Sequence, residues 1–503
     1  MPPGEPVLPR GIFLIAPTPL NPEAPMPLNP DAQSLALILA TVVVLWVTEA
    51  LPLPVTALAG VVACVVAGVA PANEVFRPFA DPLIFLFIGS FMLAEAIRVH
   101  GLDRRLAFSV LGLPAVGERP GRILAAVALV SATISAFISN TATTAMMVTI
   151  AAGILAAIED AAHSAAHSDA HSGAHSGAPA GPRLDPRFAT GLMLAVAFAS
   201  SIGGLATPIG SPPNLIGLAF IRNELGVEVS FLAWCAIGVP AAAILTTVAV
   251  LVLGWMFPAG VDRLPGVADI VARERAGLGT WSVGEMSTGF AFGTTVCLWI
   301  VPGVLGLLLG TKHPIPAWFA GHVPEGVAAL VGAVLLFILP GGPGRRALEW
   351  KEAERIDWGI ILLYGGGMAL GELSLSTGLA GALGKSLTGW LPPGNVMLIA
   401  AATLVAVITS ELTSNTASAN IVVPVAMALA AASGGDPLTA ALAATFAASL
   451  GFMMPVSTPC NAIVYGTGRI HLRDMIRSGA IIDLVGAVVI TLVMLAVGRL
   501  WAG

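Results

Sequence analysis

The chain has 503 residues, 56% of them hydrophobic and only 10% charged, and its mean hydropathy is +0.89. About 25% of residues are charged in an average soluble domain, so this composition excludes a soluble globular protein. The net charge of −6 says little, because in a membrane protein the placement of charges matters more than their sum, and no nucleic-acid partner is expected. Apolar windows of roughly 20 residues recur at 33–48, 53–70, 231–256, 286–310, 325–340 and 479–498. They predict an all-α polytopic membrane protein, and the 56 Gly and 38 Pro fit membrane helices that are interrupted. Cys64, Cys235, Cys297 and Cys460 lack paired spacing and read as small buried hydrophobes, with no disulfide framework or metal site implied.

In chain order, residues 1–30 are Pro-rich with Arg10 their only basic residue, so no cleavable signal is expected. Gly11–Ala16 is apolar but too short to span. Gln33–Glu49 is a spanning candidate that closes on Leu51-Pro52-Leu53-Pro54, where two prolines force a break. Thr56–Ala70 follows, then a polar turn at Asn73-Glu74. Asp81–Ile97 carries Gly89-Ser90 and ends in Gly101-Leu102-Asp103-Arg104-Arg105.

From here the chain repeats itself. Gly365-Gly366-Gly367 leads to Ser376-Thr377-Gly378-Leu379, with Glu95 and Glu372 at matching places. Ser139-Asn140-Thr141 recurs as Ser414-Asn415-Thr416, at an offset of 275. Gly210-Ser211-Pro212-Pro213-Asn214 recurs as Ser457-Thr458-Pro459-Cys460-Asn461, at an offset of 247. The offsets differ by 28, and the surplus is visible in the Ala, His, Ser and Gly run Ala161–Pro182. Its His163, His167, His171 and His175 would share one helical face. Metal binding is one reading of them, but the Ser/Gly/Ala surroundings favour a mobile, cytoplasmic loop.

Charges orient the repeats. Arg98, Arg104, Arg105, Arg119 and Arg122 follow the first Gly-bearing segment, whereas Arg345, Arg346, Lys351 and Arg355 precede the second. If basic loops are cytoplasmic, the two copies enter the membrane from opposite sides, as in the inverted repeats of secondary transporters. The same rule puts Arg183, Arg187, Arg263, Arg273, Arg275, Arg469, Arg473 and Arg477 inside. It leaves Arg77, Arg222, Lys312, Lys385 and Arg499 outside, singly. The expected division is N-terminal scaffold helices at 1–80, a first repeat at 81–222, and further scaffold at 223–340. A second, inverted repeat at 341–470 and a C-terminal helix at 471–503 complete it.

The repeated polar turns are the candidate site. Hydroxyls and amides inside apolar sequence cost free energy unless satisfied, and non-helical backbone at membrane depth is tolerated only where it is buried or lines a cavity. Short helices flanking such turns present N–H groups and dipoles that favour anions. Ser, Thr and Asn add neutral donors for carboxylate or sulfate oxygens. Carbonyls freed at the breaks, reinforced by Pro212-Pro213 and Pro459, suit Na⁺. Helix-packing polarity alone would explain one copy better than two. No HExxH or GxSxG pattern is present, so an enzyme is not expected. Glu411 could serve as a proton or cation group, but a hairpin entrance in water is the favoured expectation. Asp483 could pair with a neighbour, and Glu49 and Glu372 fit helix ends or interfaces.

On these motifs the chain resembles the divalent anion/sodium symporter family, which carries di- and tricarboxylates or sulfate. The likeness runs from Thr48-Glu49-Ala50-Leu51-Pro52 to His471-Leu472-Arg473-Asp474-Met475 and is most specific over Ala448–Val464. Cys460 departs from it, standing where a second proline is common. The resemblance implies a homodimer in the lipid bilayer, with about eleven spans, two re-entrant hairpins and two broken helices, and an elevator motion against a scaffold. It implies substrate contacts at Ser139, Asn140, Thr141, Ser414, Asn415, Thr416, Thr458 and Pro459. It implies one Na⁺ site at Ser135, Ser139, Asn140 and Gly210, and another at Ser410, Thr413, Asn415 and Ser457.

The function expected is secondary transport of small divalent anions at a bacterial inner membrane, foremost Na⁺-coupled symport of a C4-dicarboxylate such as succinate, malate or fumarate. Na⁺-independent dicarboxylate exchange and sulfate transport are alternatives, and an anion channel is a different class. No Lys or Arg lies between Arg122 and Arg183, between Arg187 and Arg222, or between Lys385 and Arg469. Two negative charges must then be offset by hydrogen-bond donors, helix ends worth about half a charge each, and bound Na⁺.

Overall fold

The computed structural model describes residues 29–171, 185–264, 266–310, 312–387 and 394–502, so Gly11–Ala16 lies outside the described residues. Among these, nine helices are long and apolar enough to cross a membrane, and Pro314–His322 with Glu325–Ile338, bent by 69°, can form a tenth. The chain is an all-helical polytopic membrane protein. The sequence window at 53–70 does not make a full span. Its helix, Leu53–Val66, rises only about 21 Å, short of the roughly 30 Å hydrocarbon core. Gly68, at φ +75°, ends it, with the amide of Val69 bonded back to Cys64 O at 3.0 Å.

Prolines and caps explain most helix starts. Pro82, Pro120, Pro212, Pro437 and Pro459 each open a helix, where a missing N–H costs nothing. Asp81, Ser282, Ser414, Asp436 and Thr458 accept first-turn amides as caps. The insert differs from expectation. Helix Asn140–His171 runs on through residues 161–171 rather than stopping at Ala161, because Ala161, Ala162, Ala165, Ala166 and Ala170 are strong helix formers. Residues 172–182 of the insert lie outside the described residues.

The two Gly-bearing helices, Pro82–His100 and Trp358–Ser376, run in opposite senses. His100, at the end of the first, bonds Ala347 O, ahead of the second, at 2.7 Å. At the other end Arg77 and Asn223 bond Glu372 at 3.4 and 3.2 Å, and Arg222 pairs with Asp81. Arg77 and Arg222 thus gather at one end of this pair. Basic residues assigned to the opposite side also contact one another's loops, as in Arg104–Glu274 at 2.5 Å, Arg187 to Met256 O at 2.7 Å and Arg469–Glu159 at 2.9 Å.

Two short helices fill the centre. Arg187–Gly203 is buried from Phe188 onward, and Pro437–Ala447 from Leu438 onward. Their Ala, Gly, Ser and Thr content lets neighbours approach at backbone distance. A Cβ on Gly203 would sit 2.2 Å from Ala132 O, and one on Gly217 would sit 2.0 Å from Thr445 Oγ1.

Candidate functional site

Both Ser-Asn-Thr motifs fall where one helix stops and the next begins. In the first half, Pro120–Ser135 ends, residues 136–139 turn, and Asn140 starts the next helix. In the second, Asn395–Leu412 ends and Asn415 starts the next helix across Thr413-Ser414. In each half the two helices pack against each other. The serine of each motif has one job: Ser139 Oγ accepts from Ala142 N at 3.3 Å, and Ser414 Oγ from Ala417 N at 3.2 Å. These are N-caps, each worth about 1 kcal/mol.

The asparagines are held equivalently. Ser135 Oγ lies 2.6 Å from Asn140 Oδ1, and Ser410 Oγ lies 2.7 Å from Asn415 Oδ1. Around Asn140 the inward amide atom also lies 3.1 Å from Gly210 O and 3.1 Å from Ser200 O. With the amide oxygen inward, four oxygens face one another, which suits a hard cation. With nitrogen inward, the same geometry is a set of ordinary hydrogen bonds. The Asn140 amide thus lies against Ser135 Oγ, Gly210 O and Ser200 O, which adds Ser200 O to the predicted Ser135, Asn140 and Gly210. Ser139 does not join them through its hydroxyl, which caps the helix.

In the second half, Ser410 Oγ also donates to Ala448 O at 2.9 Å, and Asn415 Nδ2 reaches Ser449 O at 3.5 Å. Thr413 turns its hydroxyl back to Thr409 O at 2.7 Å, leaving its carbonyl as the candidate ligand. Ser457 donates to Glu411. Ser139, Thr141 and Pro459 are exposed, Asn140 and the 414–416 triplet are half-buried, and Thr458 is buried as the cap of Pro459–Tyr465, accepting from Asn461 N at 3.1 Å.

The broken turns, 204–211 and 448–458, close over these asparagines. A Cβ on Gly204 would lie 2.6 Å from Asn140 Oδ1, and one on Gly451 would lie 3.3 Å from Asn415 Oδ1. The halves interlock. The helix starting at Asn140 packs on Pro459–Tyr465, and the helix starting at Asn415 packs on Pro212–Leu225.

The expectation for Glu411 is overturned. It is only 4% exposed, accepting from Met453 N at 2.7 Å, Met454 N at 3.2 Å and Ser457 Oγ at 2.7 Å. Asp483 lies beside it and accepts from Phe452 N at 3.3 Å. A carboxyl buried at this depth is tolerable because three donors meet it. Sequence offered no sign of this, since those donors come from some 40 residues further along the chain. Gly204 and Gly451, in contrast, were findable. They lie at the 247 offset of the Pro-Asn motif.

Known proteins resemble this chain over most of its length. A family model described as "Sodium:sulfate symporter transmembrane region" matches residues 10–502. The sodium-dependent dicarboxylate transporter SdcS of Staphylococcus saprophyticus is 31% identical over 459 residues, covering 89% of this chain and 83% of its own. SdcS of Staphylococcus aureus strain USA300 is 30% identical over 457 residues, with 89% and 82% covered. Among solved structures, the YdaH transporter of Alcanivorax borkumensis aligns with a TM-score of 0.52 at 15% identity, covering 85% of this chain and 87% of that one, a likeness of fold. Matched over nearly its whole length, and built around two polar helix breaks, the chain belongs to the Na⁺-coupled divalent anion symporter family and is an integral membrane transporter, not an enzyme.

Proposed function

We propose that the chain couples Na⁺ to the uptake of a C4-dicarboxylate of the succinate, malate or fumarate type across a bacterial inner membrane. The observation that carries this is the pair of matched turns. Each has an asparagine, a serine and backbone carbonyls fit for a cation, and each opens a long helix whose N–H end favours an anion. The segments bearing them contain no Lys or Arg, so Na⁺ supplies the positive charge that a dianion needs. The dicarboxylate assignment is supported by the SdcS relatives.

Ser139, Asn140, Thr141, Ser414, Asn415, Thr416, Thr458 and Pro459 form the substrate surface. Ser135, Asn140, Gly210, Ser139 and Ser200 supply one Na⁺ site, and Ser410, Thr413, Asn415 and Ser457 the other, several through carbonyls. Residues 81–222 and 341–470 are inverted repeats, a reading supported by the opposed Gly-bearing helices. They bear two re-entrant hairpins and two broken helices, while 1–80 and 223–340 form the scaffold and 471–503 a C-terminal helix. The carrier works as a homodimer by an elevator movement. Succinate uptake into proteoliposomes tests this. An inward Na⁺ gradient should drive uptake cooperatively, and an imposed proton gradient should have little effect. Uptake indifferent to replacing Na⁺ with choline, yet stimulated by preloaded dicarboxylate, would establish an exchanger instead.

A further inference from the structure

Asn214 and Asn461 are 0% exposed and stand at the third position of the helices that follow the two broken turns. Each short amide reaches back over its turn and donates twice. Asn214 Nδ2 bonds Gly204 O at 2.7 Å and Thr207 O at 2.8 Å. Asn461 Nδ2 bonds Gly451 O at 2.9 Å and Met454 O at 2.9 Å. The spacings are ten and seven residues in both halves.

In each half one of the two clamped residues, the glycine, meets the site asparagine. Gly204 abuts the Asn140 amide and Gly210 O, and Gly451 abuts Asn415 Oδ1, Ser410 Oγ and Ser457. Among the described residues neither Oδ1 takes a hydrogen bond, so each amide acts on its turn by donation. A side chain that pins two carbonyls of an irregular turn fixes where the remaining oxygens point. Cation affinity depends on that direction far more than overall folding does.

We infer that Asn214 and Asn461 are positioning residues, each holding one broken turn in the shape that lets its half of the site bind Na⁺. This rests on the symport reading above, and it extends that reading to residues that touch neither ion nor anion. Sequence shows them only as landmarks of the repeat. Losing both donated bonds leaves two carbonyls free to rotate, which should weaken Na⁺ binding about tenfold at the affected half, or 1.4 kcal/mol.

The test uses full-length, detergent-purified protein and reads Na⁺ binding without transport. The thermal midpoint is followed as Na⁺ replaces K⁺ at constant ionic strength, for wild type and for Asn214→Ser, Asn214→Ala, Asn461→Ser and Asn461→Ala. Succinate uptake in proteoliposomes then gives half-saturating Na⁺ and, at saturating Na⁺, half-saturating succinate. Each substitution should raise the half-saturating Na⁺ in both assays by roughly tenfold. Half-saturation for succinate at saturating Na⁺ should stay near wild type. A merely structural role would lower the yield and maximal rate and leave the Na⁺ midpoint unmoved. If the alanine variant does not fold, the serine variant decides, and either position suffices. Folded variants with a wild-type Na⁺ midpoint overturn the inference alone. A wild-type protein that shows no Na⁺ response in either assay overturns it together with the symport reading.

Discussion

The two halves of the site share a frame but differ in what fills it. In both, a long helix presses a glycine against the broken turn. A Cβ on Gly238 would lie 2.4 Å from Leu205 O, and one on Gly479 would lie 2.3 Å from Phe452 O, and Leu205 and Phe452 correspond at the 247 offset. The polar support is of opposite sign. Trp234 Nε1 donates to Leu205 O at 3.0 Å, whereas Asp483 accepts from Phe452 N and Glu411 from the next two amides. The position of Glu411 in the first half is Ala136, whose carbonyl accepts from Thr207. Two halves thus reach one geometry around Asn140 and Asn415, the first through donors to carbonyls and the second through carboxyl groups that collect amides. Equivalent function does not require equivalent polarity behind it.

The most drastic way to break the comparison is at the asparagines. Asn140→Ala and Asn415→Ala should each cut succinate uptake by at least about a hundredfold, or 2.7 kcal/mol, at unchanged yield. Full activity in either variant would show that the halves are not equivalent. Gly204→Ala and Gly451→Ala sharpen it next. The added carbon meets Asn140 Oδ1 at 2.6 Å in the first half but nothing nearer than Ser410 Oγ at 3.0 Å in the second. Loss of uptake should therefore be larger for Gly204→Ala, with Gly451→Ala down roughly tenfold. The reverse ranking would contradict the geometry.

Glu411→Ala probes the polarity difference itself. It orphans the amides of Met453 and Met454, at about 1–3 kcal/mol each, while the Ser457 hydroxyl keeps the Glu411 backbone carbonyl at 3.1 Å, and should lower the thermal midpoint. Glu411→Gln keeps one acceptor and should fall between Ala and wild type. A midpoint unchanged in both would mean that the second turn does not depend on its carboxyl. The smallest effect is expected from removing residues 172–182, a portion of the Ala161–Pro182 surplus that has no counterpart in the second half. Uptake should stay within about twofold, because Ala, His, Ser and Gly cannot build a core there. A large loss on removal would favour a role for the insert.

Much of this was legible in the sequence. Helix breaks at 136–139 and 413–414 follow from polar triplets that cap a new helix, and the 247 offset aligns Asn214 with Asn461. The membrane class and the transporter family follow from composition and from the Ala448–Val464 motif. Glu411 was misread because local pattern reports cost, not compensation. A carboxylate in an apolar run reads as water-facing until the amides of Met453 and Met454 are known to meet it. The insert was misread for the opposite reason, since its alanines carry the helix on although its composition cannot build a core. Neither error concerns the asparagines, whose partners lie five residues away at Ser135 and Ser410.

The central claim is that each turn holds its own Na⁺ and that together they hold one dianion. Paired uptake of labelled Na⁺ and labelled succinate by the same proteoliposomes tests it most directly. The account predicts at least one Na⁺ per turn, hence two or more for each succinate, and a lower ratio or no transport when Ser135 or Ser410 is replaced by Ala. Succinate entering at full rate with no accompanying Na⁺ would contradict it.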